Sequence, residues 1–438
     1  LGMGVAQAVQ TFVAQSEGRN EPTRCGGFAW QTLYISACSA VLTTPLILTL
    51  DVWFGGFARW AGHPPDALHE ELAYLRVGLW SIVPATLCMG MENFFNGIQR
   101  PRVSLLAVLA SLGANVVGNY ALIFGHWGFP AMGIAGAAVA TVLAWVVRAA
   151  VLLVALWHPE IDARYQTRHS WRFDRERFVA LLRVGGPTAA QWLIDIGAWV
   201  VFQQLMMPRF GTVALAASGI AIQYMHLSFM PGLGIGQALT SQVGFAIGEG
   251  RPDRAVQRVY IARRVILGYM ALMGAVFLLF GTPLAALMCF ESDPATRAGV
   301  VSTAGYVLMW VALFQVSDGL CVTYSFALRG AGDTRAPAVL FAWCCWGIFV
   351  TGGLSVAYFA PQWGVGGPWA MCTLYIVVLG VLLWRRFHTD EWRRIQLFDE
   401  APGGARTIDA PAGSRGVGSA GADPDDSAAA QAGAAPSA

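Results

Sequence analysis

The chain has no lysine: all 28 of its basic residues are arginine. Charged residues make up only 12% of it, against roughly a quarter in an average soluble domain. It therefore lacks the polar surface that keeps a globular protein in water. The arginines lie between apolar runs and form no basic stripe, which argues against nucleic-acid binding. The eight cysteines include no CxxC pair and have no histidines at ligand spacing, which excludes a zinc cluster and a disulfide framework. Nearly all of them fall in apolar runs and read as small packing residues. There is no HExxH and no nucleophile beside a base, so a membrane-embedded enzyme is disfavoured. No charged leader or cleavage pattern opens the chain. Its first residues are already apolar and glycine-patterned, as if it began inside a helix.

What the chain does have is apolar residues, 56% of the total. Runs of the roughly 20 residues that span a bilayer recur from end to end. The pattern predicts helices over 1–16, 27–50, 72–98, 103–125, 132–157, 179–207, 212–247, 261–290, 298–328, 337–360 and 365–386. The residues after 386, small and polar towards the end, predict a disordered cytoplasmic tail over 387–438. Arginine placement orients the spans, because positively charged loops are retained in the cytoplasm. Alternate loops carry Arg19 and Arg24, Arg100 and Arg102, Arg164 to Arg177, Arg251 to Arg264, Arg329 and Arg335, and Arg385 to Arg394. The opposite set holds little beyond Arg59, Arg76, Arg209 and Arg297, with acids such as Asp66, Glu70, Glu71, Glu291 and Asp293. The expectation is an inner-membrane protein with its C-terminus inside.

The long charged loop over 158–178 divides the spans nearly in half, and an internal repeat supports that division. Residues 1–22 align without a gap on 231–252, matching Gly2, Gly4, Gln7, Ala8, Val13, Gly18 and Pro22 with Gly232, Gly234, Gln237, Ala238, Val243, Gly248 and Pro252. Gly133 and Gly136 match Gly364 and Gly367 at nearly the same offset. The expected organisation is an N-terminal lobe over 1–157, a linker over 158–178 and a C-terminal lobe over 179–386. Helix 179–207 then has no partner in the chain, and its mate is expected ahead of Leu1, giving twelve spans in two bundles of six. The fold class is an all-α, two-lobed membrane bundle, and parallel repeats of this kind suit a transporter that rocks one lobe against the other.

A carboxylate at mid-membrane costs about 2.5–3.5 kcal/mol on insertion scales and marks a functional site by default. Asp195, in GGPTAAQWLIDIGAWVVF, and Asp318, in WVALFQVSDGLCVTYSFALRG, are the clearest cases. Two acids sharing one dry cavity cannot easily both stay ionised, so a proton or a metal cation such as Na+ neutralises one. The plainer alternative is that each accepts hydrogen bonds from neighbouring hydroxyls or indoles. Asn115 and Asn119, one turn apart, offer amide oxygens to a cation, although asparagine also links helices in membranes. Trp192, Phe229, Phe314 and Tyr324 are candidates to line a cavity for lipophilic cations, while most membrane aromatics only pack. Arg148 reads as snorkelling, Glu92 as interfacial, and His226 as a proton carrier or, more plainly, a hydrogen-bonded helix contact.

The order and spacing of GGPTAAQWLID, SDGLCVTYSFALRGAGDTR and NVVGNYALIFG followed by GFPAMGIAGAAVAT resemble the multidrug and toxic compound extrusion (MATE) family, its NorM-like branch in particular, over about residues 1–386. The resemblance implies an antiporter that exports organic, often cationic, drugs in exchange for Na+ or H+, with no cofactor, acting as a monomer in the lipid bilayer. It implies that Asp195 and Asp318 occupy the acidic cation positions of the C-terminal lobe, where NorM proteins commonly have Glu at the first. It also implies that Asn115, Asn119 and Thr141 occupy polar positions of the N-terminal-lobe site. Phe314 stands where a NorM-like tyrosine is expected, which removes a hydroxyl ligand. A lipid-linked oligosaccharide flippase of the same superfamily is the alternative. It calls for a basic, lipid-accessible cavity, and the embedded polar groups here are acids and amides.

Overall fold

A computed structural model describes residues 2–60 and 64–398, the side chains of 60, 66 and 67 excepted. Leu1 and the expected tail from 399 onward lie outside the described residues. The described residues form sixteen α-helices, α1 (Gly2–Ala6), α2 (Ala8–Gly18), α3 (Pro22–Leu48), α4 (Leu50–Trp60), α5 (Pro65–Gly78), α6 (Ile82–Gly97), α7 (Pro101–Phe124), α8 (Gly133–Leu156), α9 (Pro159–Tyr165), α10 (Arg175–Val201), α11 (Thr212–Gly248), α12 (Pro252–Met288), α13 (Pro294–Ala331), α14 (Arg335–Ala342), α15 (Thr351–Phe359) and α16 (Gly366–His388). A π-helical turn over 202–206 extends α10, and another over 343–350 joins α14 to α15 into one rod. Nine helical stretches among the described residues are long and apolar enough to cross a bilayer. The two expected spans that fall short do so for visible reasons. α1 and α2 are brief and interrupted at Gln7, and the apolar stretch of α10 is diluted by Pro187, Thr188, Gln191 and Asp195.

Four of the arginine-bearing turns share one construction. After α2, α6, α11 and α13 a residue turns left-handed: Asn20 (φ 60°), Gln99 (φ 60°), Gly250 (φ 71°) and Gly332 (φ 90°). The next residue then donates its N–H back across six residues, Glu21 to Ser16, Arg100 to Phe95, Arg251 to Ala246 and Asp333 to Leu328, at 2.8–3.0 Å. This is the Schellman cap, which satisfies carbonyls that a helix end leaves without partners. In the first three turns a proline follows at once and opens the next helix, where its missing N–H costs nothing. At the opposite end Asp293 caps α13, accepting from the Thr296 N–H at 2.8 Å. Those hydrogen bonds hold its carboxyl below the usual carboxylate range.

Helix ends differ from the hydropathy pattern in a consistent way. α12 starts at Pro252 rather than 261, and α9 and the start of α10 lie within the expected linker. Charged residues leave the hydrocarbon without leaving the helix, so hydropathy marks lipid contact and not the cap. The first residues of the expected tail, through Leu397, are folded. Trp392 is 1% exposed and stacks on Phe387 with ring centroids 5.2 Å apart, and Leu397 reaches Gly332.

Packing follows membrane rules. Leu105, Leu109, Leu112 and Val116 of α7 are exposed, as lipid-facing residues should be. Its inner face is made of small residues, with Gly118 against Ala140 of α8 and Gly136 of α8 against the Leu122 carbonyl.

The repeat is visible as symmetry. Gly133 and Gly364, matched in sequence, both have positive φ, 55° and 57°. Gly18 and Gly248 touch each other: a Cβ built on either would lie 2.2 Å from a backbone oxygen, that of Phe245 or of Gln15 respectively, and 3.0 Å from the other glycine's Cα. Around this point the hydrogen bonds come in mirrored pairs. The Thr11 hydroxyl donates to the Arg329 carbonyl at 2.9 Å, and Ser241, its repeat mate at the same offset, donates to the Asn96 carbonyl at 2.8 Å. A pseudo-twofold axis passes between α2 and α11 at the arginine-rich end, where the two repeats close on each other.

Candidate functional site

Four helices of the second repeat turn one stripe each towards a common space. On α10, Gln191, Trp192, Asp195 and Trp199 fall on one face by their spacing of one, four and eight. On α13, Phe314, Asp318, Val322, Ser325 and Arg329 follow the same rule, and eleven residues make three turns, so Asp318 and Arg329 lie in line. α11 adds Met225, His226, Phe229, Met230 and Leu233, and α16 adds Tyr375, Ile376 and Leu379. Together they line a cavity of about 300 Å³.

Asp195 and Asp318 therefore share one cavity. Both are half-buried. Trp199, one turn along α10 from Asp195, lines the same cavity. Among the described residues no arginine pairs with either acid. Most of the remaining wall is aromatic or aliphatic, broken by Gln191, His226 and Ser325, so formal charge in this space is concentrated on the two carboxylates and on Arg329 at one end. Arg329 is engaged elsewhere: Nη1 donates to Gln7 Oε1 at 2.8 Å across to α1–α2, and its guanidinium carbon lies 4.7 Å from the Phe326 ring centroid.

Of the aromatic candidates, Trp192, Phe229 and Phe314 line the cavity and Tyr324 does not. Tyr324 is fully buried on another face of α13, where its hydroxyl accepts from Arg263 Nη1 at 3.1 Å and its ring centroid lies 5.4 Å from that of Phe387. Position 324 is six residues from 318, which turns it well away from the acid's face. Tyr375 lines the cavity from α16 and stacks on Phe349 with ring centroids 5.2 Å apart.

The polar residues of the first repeat lie apart from this space. Asn119 Nδ2 donates to Asn115 Oδ1 at 3.1 Å, which leaves Asn119 Oδ1 buried with no partner. Thr141 Oγ1, on the neighbouring α8, donates to the Ala137 carbonyl at 2.9 Å. An orphaned amide oxygen is an acceptor fitted to a cation or an N–H.

Three residues set aside or overlooked in the sequence have definite places. His226 lines the second-repeat cavity, and so does Arg329, whose only sequence signal was its eleven-residue spacing from Asp318. Arg148 does not snorkel. It forms an ion pair with Glu92 that ties α8 to α6, with side-chain exposures of 19% and 12%, and lies 4.9 Å from the Trp145 ring centroid. Removing one partner of a buried pair leaves the other charge uncompensated. Glu92→Gln is therefore expected to lower stability by about 3 kcal/mol, seen as a fall in the melting temperature of detergent-solubilised protein. Glu92→Gln combined with Arg148→Met is expected to recover most of that loss.

The MatE family model matches residues 1–121 and 198–351. A probable multidrug resistance protein NorM of Rhizobium meliloti is 32% identical over 393 residues, covering 88% of this chain and 82% of that protein. Its counterpart in Synechocystis is 29% identical over 368 residues, 83% and 78% of the two chains. In fold, the chain resembles a multidrug resistance MATE family transporter of the MOP superfamily in its outward-facing conformation, with a TM-score of 0.79, 21% identity and coverage of 89% of this chain and 84% of that one. It also resembles a MATE crystal structure in the bent conformation, with a TM-score of 0.78, 19% identity and coverage of 90% and 84%. A multi-pass helical bundle with this repeat, this cavity and these relatives belongs to the MatE family, as a NorM-like multidrug and toxic compound extrusion transporter.

Proposed function

We propose that this chain exports lipophilic, often cationic, organic compounds across the bacterial inner membrane in exchange for inward Na+ or H+. The observation that carries the proposal is that Asp195 and Asp318 face one aromatic-lined cavity with no arginine paired to either. Such a cavity attracts a proton, an alkali cation or an organic cation, but it cannot hold all of them at full charge compensation. Competition for the two carboxylates then couples uptake of one to release of another, and rocking of the repeats exposes the cavity to alternate sides. Asn115, Asn119 and Thr141 form a second polar station in the first repeat. The lobes are 1–157 and 179–386 about the 158–178 linker, the arginine-rich turns and the C-terminus face the cytoplasm, and the working unit is a monomer. Transport and not catalysis is the activity, and a flippase is disfavoured because the embedded charge is chiefly acidic.

The test is transport in proteoliposomes loaded with ethidium, with either a pH gradient or a Na+ gradient imposed. Dye movement that follows one of the gradients and collapses with an ionophore is the expected result. Movement independent of both gradients would sink the reading.

A further inference from the structure

A second cleft lies on the outside of the bundle, away from the acids. It is about 440 Å³ in volume and is lined by Arg263, Arg264 and Leu267 of α12, Leu320 of α13, and Val381 and Trp384 of α16. α12 and α16 both pack on α13, and Leu320 forms the floor between them. Its polarity runs the same way on both walls. On α12, Arg263 and Arg264 stand towards the charged start of the helix, and Leu267 lies one turn deeper. On α16, which runs in the opposite direction, Val381 is deep and Trp384 stands next to the closing Arg385 and Arg386. Each wall is thus basic or amphipathic at the membrane boundary and aliphatic below it.

The two arginines are not consumed by neighbours in the same way. Arg263 donates to Tyr324 at 3.1 Å and lies 4.8 Å from the Tyr260 ring centroid, which fixes its guanidinium at the cleft. Arg264 has an exposed side chain and no hydrogen-bond or ion-pair partner among the described residues. No acidic side chain lines the cleft. The pair is also not a product of the repeat: at the repeat offset, positions 33 and 34 hold Leu33 and Tyr34. From a basic, interfacial head and an aliphatic floor, we propose that this cleft binds one anionic phospholipid, its phosphate on Arg263 and Arg264 and an acyl chain along Leu267, Leu320 and Val381. Basic pockets between transmembrane helices commonly take such headgroups. An occupant would bridge α12 and α16 across α13, the helix that carries Asp318.

The experiment is native mass spectrometry of the detergent-solubilised full chain, titrated with phosphatidylglycerol or with phosphatidylcholine. The wild type is expected to retain one phosphatidylglycerol in preference to phosphatidylcholine. Each arginine near an anionic headgroup is expected to contribute about fivefold in binding. Arg264→Gln should therefore weaken retention about fivefold, and the Arg263→Gln, Arg264→Gln pair on the order of 25-fold. Arg264→Lys should keep the preference, as should Arg102→Gln at an exposed arginine outside the cleft. Equal binding of the two lipids by the wild type would overturn the proposal. So would a preference surviving the double variant, or one lost equally in Arg102→Gln. A third arm adds 10 mM inorganic phosphate without lipid and follows the melting temperature. An arginine-dependent rise there equal to the rise given by phosphatidylglycerol would identify the site as one for free anions, and would equally overturn the lipid assignment.

Discussion

Asp318→Asn is expected to reduce gradient-driven drug export on the order of 100-fold, to the leak of empty liposomes, while membrane insertion and yield stay near wild type. The amide is nearly isosteric with the acid, so the walls made by Phe314, Val322 and Tyr375 are undisturbed. What it lacks is the ability to take up and release a proton, or to bring negative charge to a cation. A 100-fold loss corresponds to about 2.7 kcal/mol, within the cost of holding a carboxylate at mid-membrane, which the protein would otherwise have no reason to bear. Drug binding measured at equilibrium should change only a few-fold, because most of the cavity is aromatic and aliphatic surface. Asp195→Asn should have the same sign, since both carboxylates line the one cavity. Export by Asp318→Asn at the wild-type rate would remove the acid from the coupling scheme.

The helices and the acids were legible in the sequence because both are expressed as contrast. An apolar run is bounded by charges, and a carboxylate stands out inside such a run. Placement of Asp195 and Asp318 in one cavity followed from both being in the second repeat. What could not be read was direction around the helix where two candidates were close in sequence. Phe314 and Tyr324 are four and six residues from Asp318, and only the first spacing keeps the side chain on the acid's face. Arg329 was hidden by its own charge, since an arginine near a turn reads as a topology signal even when three helical turns align it with a half-buried acid. Arg148 and Glu92 were separated by 56 residues and belong to different spans, so no local pattern could pair them. Trp392 was lost in a charged, short segment, although an aromatic beyond a last span is the kind of residue that docks.

The repeat carries the farthest-reaching consequence, because it matched Gly18 with Gly248 before any contact between them was known. The folded chain has these two glycines meeting across the pseudo-twofold axis with no room for a side chain. The atoms that a new Cβ would meet are backbone, so the helices themselves must separate. Gly248→Val is therefore expected to prevent α2 and α11 from closing, and the loss extends beyond the clash. The Gln15 amide donates to the Gly330 carbonyl at 3.1 Å, Gln10 donates to the Gln237 carbonyl at 2.6 Å, and the mirrored Thr11 and Ser241 bonds span the same seam. Overpacking costs about 1–3 kcal/mol and each lost hydrogen bond about 1 kcal/mol. The penalty falls only on the conformation in which the arginine-rich ends touch, and about 3 kcal/mol shifts that population on the order of 150-fold. Spin labels on Arg102→Cys and Arg251→Cys, in a background without native cysteines, should then report a longer distance than in the glycine parent. Transport should fall at least tenfold with equilibrium drug binding retained. Gly234→Ala is the matched control, since a Cβ there meets nothing within 4 Å, and it should leave distance and transport unchanged. Wild-type distances and rates in Gly248→Val would show that alternating access does not need this contact, and that the symmetry at the axis is a relic of duplication rather than a working seam.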